Sequence, residues 1–259
     1  MDLQIRGRKA IVCASTRGLG RACAASLARE GVHVVINGRS PDSAAAAAQE
    51  LAAETGGVVR AAAADINTDA GRAALVAACP DADILVTNNE GPAPGRFMDW
   101  EREHYLQAIE ANMLAPAMLI RALLPGMRAR GFGRIVNITS AMVKSPSPAM
   151  GLSTSARTGL TALCKAISRE VVVDNVTINN LLPERFDTDR QRFMAERMVR
   201  EQGLSYDEAR QRIVDTIAAG RLGQPSEFGD ACAFLCSAQA GYLSGQNLQL
   251  DGGSYRGVF

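Results

Sequence analysis

The sequence has little net charge, few aromatic residues and no long hydrophobic run. Its 28 lysines and arginines nearly balance 27 aspartates and glutamates, and only 5% of its 259 residues are aromatic. A formal charge of +1 leaves no basic surface for nucleic acid, which is therefore not expected as a partner. No window approaches the roughly 18 uncharged apolar residues of a spanning helix, and no secretory signal pattern is present. We expect no membrane partner and a cytoplasmic location.

Metal-binding patterns are also missing. The six cysteines are scattered, and the pair Cys232 and Cys236 has no histidine or second cysteine pair nearby to complete a metal site. We therefore expect packed, reduced thiols and no metal. His33, expected in a buried strand, and His104 have no carboxylate or cysteine partner at motif spacing, so neither is expected to act as a base.

Short runs rich in β-branched residues alternate with longer helical stretches along the whole chain. Apolar strands that alternate with helices predict a parallel sheet that is buried on both faces. The sequence therefore predicts one doubly wound α/β domain over residues 1–259, with helices on both faces of the sheet. The expected strands are Ala10–Ala14, Val32–Asn37, Val58–Ala63, Asp83–Thr87, Arg134–Ile138, Thr177–Leu182 and Asn247–Leu250.

A glycine-containing turn follows the first strand and precedes a helix expected from about Arg21 to Glu30. Glycines at such a turn let the backbone approach a pyrophosphate, and the helix N-terminus offers unpaired N–H groups. An ordinary tight turn is the alternative, but the place between first strand and first helix favours a phosphate cradle. The predicted cradle comprises Ser15, Arg17, Gly18, Leu19 and Gly20.

The second strand ends with Asn37 and then Arg39, nineteen residues past Gly20. A dinucleotide fold that prefers NAD presents Asp or Glu there to the ribose 2′-hydroxyl. A guanidinium can instead bind a 2′-phosphate, and Arg17 could flank the same group. The sequence therefore favours NADP(H) as cofactor, unless these arginines are simply solvated surface residues.

With these motifs the chain resembles the short-chain dehydrogenase/reductases, a family with the Rossmann fold, and within them the bacterial 3-oxoacyl-acyl-carrier-protein reductases. The resemblance extends through Ala64-Asp65-Ile66, Asn88-Asn89-Glu90-Gly91, Leu182-Pro183 and Asp251-Gly252-Gly253. It implies a carbonyl–alcohol oxidoreductase that assembles as a homotetramer, with Leu243 to Leu250 as part of the interface. It adds Asp65, Ile66, Asn88, Pro183 and Thr188 to the cofactor site, and Asn112 and Ser140 to the catalytic site.

The resemblance breaks at the central pair of the family, a tyrosine and a lysine four residues later. Thirteen residues past Ser140 the chain has Ser153, and the expected lysine is Arg157. A serine hydroxyl is shorter than a phenol and does not ionise usefully near neutrality, while arginine stays cationic. Proton transfer is therefore the weakened step, with Ser153 at most a substitute donor. Ser140, Ser153, Arg157 and Asn112 remain the predicted catalytic residues.

The leading hypothesis is an NADP(H)-dependent oxidoreductase that interconverts a carbonyl and an alcohol on a small-molecule substrate. A catalytically weak or inactive dinucleotide-binding homologue is one alternative. A non-redox enzyme of the same fold is another, because halohydrin dehalogenases also replace the lysine by arginine. Those relatives, however, keep the tyrosine and lose the glycine loop, which argues against this alternative.

Two glutamates and one charged segment complete the sequence-based predictions. Glu90 and Glu184 stand where the family has small residues, so they either crowd the cofactor or point to solvent. If the alignment to the family is shifted by one residue, so that Gly91 pairs with the family's glycine, Glu90 is less expected to crowd the cofactor. Residues 184–219 carry charges at helical spacing, and we expect a substrate lid there, with a solvated helical pair as the alternative.

Overall fold

A computed structural model of the chain describes residues 1–258, which form one seven-stranded parallel sheet in the order β3-β2-β1-β4-β5-β6-β7. The predicted doubly wound architecture is confirmed, and each strand lies within two residues of its expected position. The strands are β1 (Lys9–Val12), β2 (His33–Gly38), β3 (Val59–Ala63), β4 (Ile84–Thr87), β5 (Gly133–Ile138), β6 (Val176–Pro183) and β7 (Asn247–Leu250).

Helices connect the strands and cover both faces of the sheet. The first helix begins at Gly18 rather than Arg21, because the second half of the glycine loop already has helical hydrogen bonding. The α-helices are α1 (Gly18–Arg29), α2 (Pro41–Thr55), α3 (Asp69–Ala78), α4 (Arg102–Ile109), α5 (Ala115–Ala129), α6 (Gly151–Val171), α7 (Asp189–Gln202), α8 (Tyr206–Val214) and α9 (Pro225–Leu235).

Two hydrophobic clusters, one on each face, hold the helices to the sheet. Successive strand residues alternate between them: Val12 and Val86 pack with α1, α2 and α9, whereas Ile11 and Leu85 pack with α3, α5 and α6. This alternation follows from the two-residue period of a strand, and it explains why the central strands are apolar throughout.

At one edge of the sheet, the strand is less buried than the sequence predicts. β3 is one of the two edge strands and is only partly covered, so its apolar run does not mark a strand buried on both faces. His33 was expected in a buried position, which is wrong, because it lies exposed at the amino end of β2.

The helix of residues 102–129 runs without a break through α4, a π-helical turn at Glu110–Leu114, and α5. Contrary to the expectation from the sequence, this helix is long and apolar enough, by length and composition alone, to cross a membrane. One such helix is weak evidence for a membrane span, because helices in the core of a folded protein can have the same length and composition. Here 44% of the apolar window is buried against the protein.

The segment expected to form the lid folds as the helical pair α7 and α8, which agrees with its charge spacing. The two helices share a small core of their own, separate from the sheet clusters. Its buried members are Ala195, Ala209, Ile213, Ile217 and Leu222.

Candidate active site

The site residues lie at the carboxyl edge of the sheet, where the chain order reverses. From β1 the chain passes outward to β2 and β3, then returns to place β4 on the other side of β1. The crevice outside the strand ends at such a switch point is where open α/β sheets bind ligands.

The glycine loop leaves the first turn of α1 open. Arg17, at the N-cap, is extended and its side chain caps nothing, so among residues 1–258 no side chain satisfies these N–H groups. Gly18 has φ +59°, and a Cβ placed there would point into open space. At Gly20 a Cβ would lie 2.5 Å from the Ala14 carbonyl oxygen, so only glycine lets the helix approach the loop this closely.

Ala14 is a strained residue that the sequence reading missed. Its φ of +43° lies in the left-handed region, which costs a residue with a Cβ roughly 1–2 kcal/mol. Two asparagines hold it there: its N–H donates to Asn37 Oδ1 (3.2 Å), and its carbonyl accepts from Asn88 Nδ2 (3.1 Å). No pattern in the sequence marks an alanine for this conformation.

Two of the residues predicted to bind the cofactor have side chains that hydrogen-bond to the backbone of neighbouring strands. The buried Ser15 hydroxyl donates to the Val12 carbonyl (2.6 Å) and accepts the Asn37 N–H (3.0 Å). The Asn37 amide donates to the Ala62 (3.1 Å) and Ala64 (3.0 Å) carbonyls at the end of β3. Both side chains therefore shape the floor of the crevice.

The predicted adenosine end lies between β2, β3 and β4. Arg39 is exposed, and its Nη2 lies 3.4 Å from Glu90 Oε2. Asp65 is exposed after β3, whereas the Ile66 side chain is buried in a sheet cluster. Leu19 is partly buried against the opposite cluster, so both Leu19 and Ile66 would offer backbone rather than side chain to a ligand.

Asn89 was not predicted as a site residue, although it organises the end of β4. Its amide donates to Asn67 Oδ1 (2.8 Å) and to the Ala111 carbonyl (3.0 Å). The following residues then diverge: the Glu90 side chain is 69% exposed, while Gly91 faces Ser153 and Arg157. The one-residue shift considered from the sequence agrees with this geometry.

Ser140, Ser153 and Arg157 come from the end of β5 and the start of α6. Ser140 begins a 3-10 turn, and its hydroxyl accepts the Met142 N–H (3.2 Å). Arg157 Nε donates to the Ser153 hydroxyl (3.1 Å) one helical turn earlier. The serine predicted as a substitute donor is thus bonded to a cation and buried.

The Arg157 guanidinium is buried and bonded only to neutral acceptors. Its Nη1 donates to the Ile138 (2.8 Å) and Thr139 (2.9 Å) carbonyls, and its Nη2 reaches the Asn89 carbonyl (3.4 Å). Burial, with a smaller contribution from the positive charge of Arg190, lowers the pKa of Arg157 to about 10. No carboxylate of residues 1–258 forms a salt bridge with it.

Asn112 lies in the π-helical turn, and its side chain is buried. Its amide donates to the Glu90 carbonyl (3.4 Å), but its Oδ1 has no hydrogen-bond partner within residues 1–258. An unpaired buried acceptor is costly unless a water or ligand donates to it. A π-helical turn often marks a functional position, which agrees with the predicted role of Asn112.

β6 ends at Pro183, and the loop after it carries Glu184 and Thr188. Glu184 has a side chain only 19% exposed, with Arg185 Nε 3.9 Å away. Burial raises the pKa of Glu184, and Arg185 opposes that shift while Asp251 adds to it. Thr188 is the N-cap residue of α7, but its side chain makes no capping hydrogen bond. It lines a cleft of about 290 Å³ together with Gly18, Arg21, Asp187 and Pro225.

The chain matches known proteins over nearly its whole length. A family model described as enoyl-(acyl carrier protein) reductase matches residues 13–255. Dehydrogenase/reductase SDR family member 4 of Bos taurus is 33% identical over 251 residues, which are 95% of this chain and 86% of that protein. The 3-oxoacyl-[acyl-carrier-protein] reductase FabG of Escherichia coli is 28% identical over 253 residues, covering 98% and 99% of the two chains.

Solved structures agree with these sequence matches. The crystal structure of L-sorbose reductase from Gluconobacter frateurii, complexed with NADPH and L-sorbose, has a TM-score of 0.94 and 29% identity and covers 100% of both chains.

Proposed function

Because the chain belongs to the short-chain dehydrogenase/reductase family of oxidoreductases, we propose that it is an NADP(H)-dependent enzyme that interconverts a carbonyl and an alcohol. The observation that carries the proposal is the uncapped N-terminus of α1 at the switch point of the sheet, with Arg39 at the end of the neighbouring strand. The match to a reductase complexed with NADPH supports the same assignment.

The residues of the crevice fit a phosphorylated dinucleotide. The first turn of α1 has no side-chain cap, and a Cβ at Gly18 would meet no atom within 4 Å, so the start of the helix leaves room for a pyrophosphate. Arg39, with Arg17, suits the 2′-phosphate. The nicotinamide end would lie beside Asn88, Pro183 and Thr188. When bound, NADPH supplies the hydride.

Ser140 is the group that would hold the substrate oxygen, because this partly exposed serine lies two residues after β5, at the carboxyl edge of the sheet. Arg157 would fix the neighbouring backbone through its three carbonyl contacts and place a positive charge beside the reacting oxygen. The Asn112 oxygen would hold a water, as its missing donor suggests.

Glu184 is our candidate for the proton donor. A carboxyl group with a raised pKa stays protonated over part of the pH range in which a normal glutamate is ionised, and it can then act as a general acid. Glu90 is less suited, because its side chain is exposed and paired with Arg39. A water held by Asn112 or Arg157 is the alternative donor.

A catalytically weak or inactive homologue is the second candidate function. The specific observation in its favour is the buried Ser153–Arg157 pair, since neither side chain is a good proton donor near neutrality.

One experiment separates these functions. Purified protein is titrated calorimetrically with NADPH and NADH, and NADPH oxidation is then followed with activated diketones, keto sugars and 3-oxoacyl thioesters. We expect tighter binding of NADPH, loss of that preference in Arg39→Ala, and turnover of at least one carbonyl. Binding without any turnover would favour the inactive homologue, and no binding of either cofactor would refute the proposal.

The homotetramer and the cytoplasmic location expected from the sequence stay predictions. Exposed apolar residues around β7 support an assembly, namely Tyr242, Leu243 and Leu248. Cell fractionation checks the location.

A further inference from the structure

The ion pair between Arg39 and Glu90 joins two strands that are not neighbours. Arg39 follows β2 and Glu90 comes three residues after β4, and β1 lies between those strands in the sheet. Adjacent strands are about 4.8 Å apart, so the two strand ends are separated by roughly 10 Å. The two long side chains therefore bridge the end of β1, where the glycine loop begins.

The same strand ends are also joined through the loop itself. Asn37, at the end of β2, and Asn88, just after β4, both bind the backbone of Ala14. The Arg39–Glu90 pair is thus a second connection across the same crevice, made by exposed rather than buried groups.

The Arg39–Glu90 ion pair is weak and exposed to solvent. Its nitrogen and oxygen are 3.4 Å apart, and the two side chains are 71% and 69% exposed. Exposed ion pairs of this kind contribute little to stability, because solvent screens them and ordering two long side chains is entropically costly. A phosphate offers a guanidinium more charge and a bidentate geometry, so it should displace a single distant carboxylate.

We propose that Glu90 occupies the phosphate site of Arg39 in the free protein and is displaced by the 2′-phosphate of the cofactor. The inference rests on the proposed NADP(H) function and names Glu90 as a residue that sets cofactor affinity. NADH, which lacks the 2′-phosphate, leaves the Arg39–Glu90 ion pair intact. NADPH must first displace Glu90 from Arg39, so Glu90 weakens the binding of NADPH selectively.

The test is calorimetric titration with NADPH, NADH and the fragment adenosine 2′,5′-bisphosphate, using the full-length protein. In Glu90→Gln we expect affinity for NADPH and the bisphosphate to rise by about two- to fivefold, the range that one exposed ion pair supports. Affinity for NADH should not change. Asp99→Asn, which breaks the exposed pair with Arg96 elsewhere on the surface, is the matched control and should change nothing.

A double-mutant cycle shows whether the effect passes through Arg39. When Arg39→Gln is already present, adding Glu90→Gln should no longer strengthen NADPH binding. An unchanged NADPH affinity in Glu90→Gln, or an equal gain for NADH, would overturn the inference while leaving NADP(H) binding intact. Failure of wild type and variants to bind any of the three ligands would instead refute the proposed function.

Discussion

Arg157 is a buried cation whose hydrogen bonds go to the protein backbone. It connects the last carbonyls of β5 with the Asn89 carbonyl after β4 and with Ser153 on α6. A lysine, which the family resemblance implies here, has one nitrogen and could not satisfy these acceptors together. The arginine therefore stabilises the local structure in a way that a catalytic lysine would not.

We expect Arg157→Lys to lower the free energy of unfolding by about 1–3 kcal/mol, because buried carbonyls lose their donors. Urea denaturation measures the change. Arg169→Lys, an exposed position on the same helix, is the control and should stay within about 0.5 kcal/mol of wild type. Equal stability of Arg157→Lys and wild type would show that the three carbonyls find other donors.

Glu184 gives a pH prediction at the same scale. Its folded pKa is raised above the ordinary value of 4.5, so its protonated form is favoured in the folded state. The Glu184 side chain therefore adds to the free energy of unfolding below pH 4.5, and this contribution is lost as the pH rises through its raised pKa. Glu184→Gln should remove that decline, as measured by thermal unfolding across pH.

If Glu184 is the proton donor, kcat should also fall as pH rises through its raised pKa, and Glu184→Gln should abolish this limb together with most of the activity. Asp251→Asn removes a carboxylate that raises the pKa of Glu184, so it should move this limb to lower pH without abolishing it. A pH profile that is the same in Glu184→Gln and wild type would point to the bound water.

At the scale of one element, the first turns of α6 decide whether the family's proton relay can be rebuilt. Ser153 and Arg157 lie one turn apart and face Gly91, which leaves space beside them. The double variant Ser153→Tyr with Arg157→Lys should place a phenol near Ser140 and an ammonium beneath it.

We expect that double variant to reduce activated diketones at least about tenfold faster than wild type, because general acid catalysis typically contributes roughly 10²–10⁴-fold and the rebuilt relay should recover part of it. NADPH affinity should change little. The control is Ser155→Tyr with Arg157→Lys, which adds the tyrosine on the exposed face of the same turn. A folded, NADPH-binding double variant without any gain would indicate a cavity built for another reaction or for none.

The elements could be predicted from the sequence better than the side chains of the site. The central strands are buried and leave continuous apolar runs, and the edge strands β3 and β7 were found from their apolar composition although they are only partly buried. The glycine loop marks the start of α1 to within three residues. The orientation of Glu90 could not be predicted, because the turn after β4 sends adjacent residues to opposite sides. The sequence also does not show that the side chains of Ser15 and Asn37 hydrogen-bond to the strands rather than face the open crevice. The same polar groups can serve in either position.

At the scale of the whole molecule, the far edge of the sheet presents apolar residues to solvent. β7 is the edge strand opposite β3, Leu248 on it is 40% exposed, and Tyr242 before it is fully exposed. A symmetric assembly would cover this edge with a second copy.

We expect light scattering to give a tetramer at micromolar concentration and Leu248→Arg to give a smaller species, because a charge would be buried at the interface. Met98→Arg, on a distant exposed turn, is the control and should keep the wild-type mass. A monomeric wild-type protein would contradict the predicted assembly.

The separate core of α7 and α8 makes these helices a cooperative unit with its own local opening. Its five buried apolar residues lie on α7, on α8 and in the segment after α8, and the large sheet clusters do not include them. Such a unit can open as a whole at a lower free energy than global unfolding. In amide hydrogen exchange, α7 and α8 should therefore lose protection together, well before β1 and β4, and bound NADPH should slow them most if they close over the crevice.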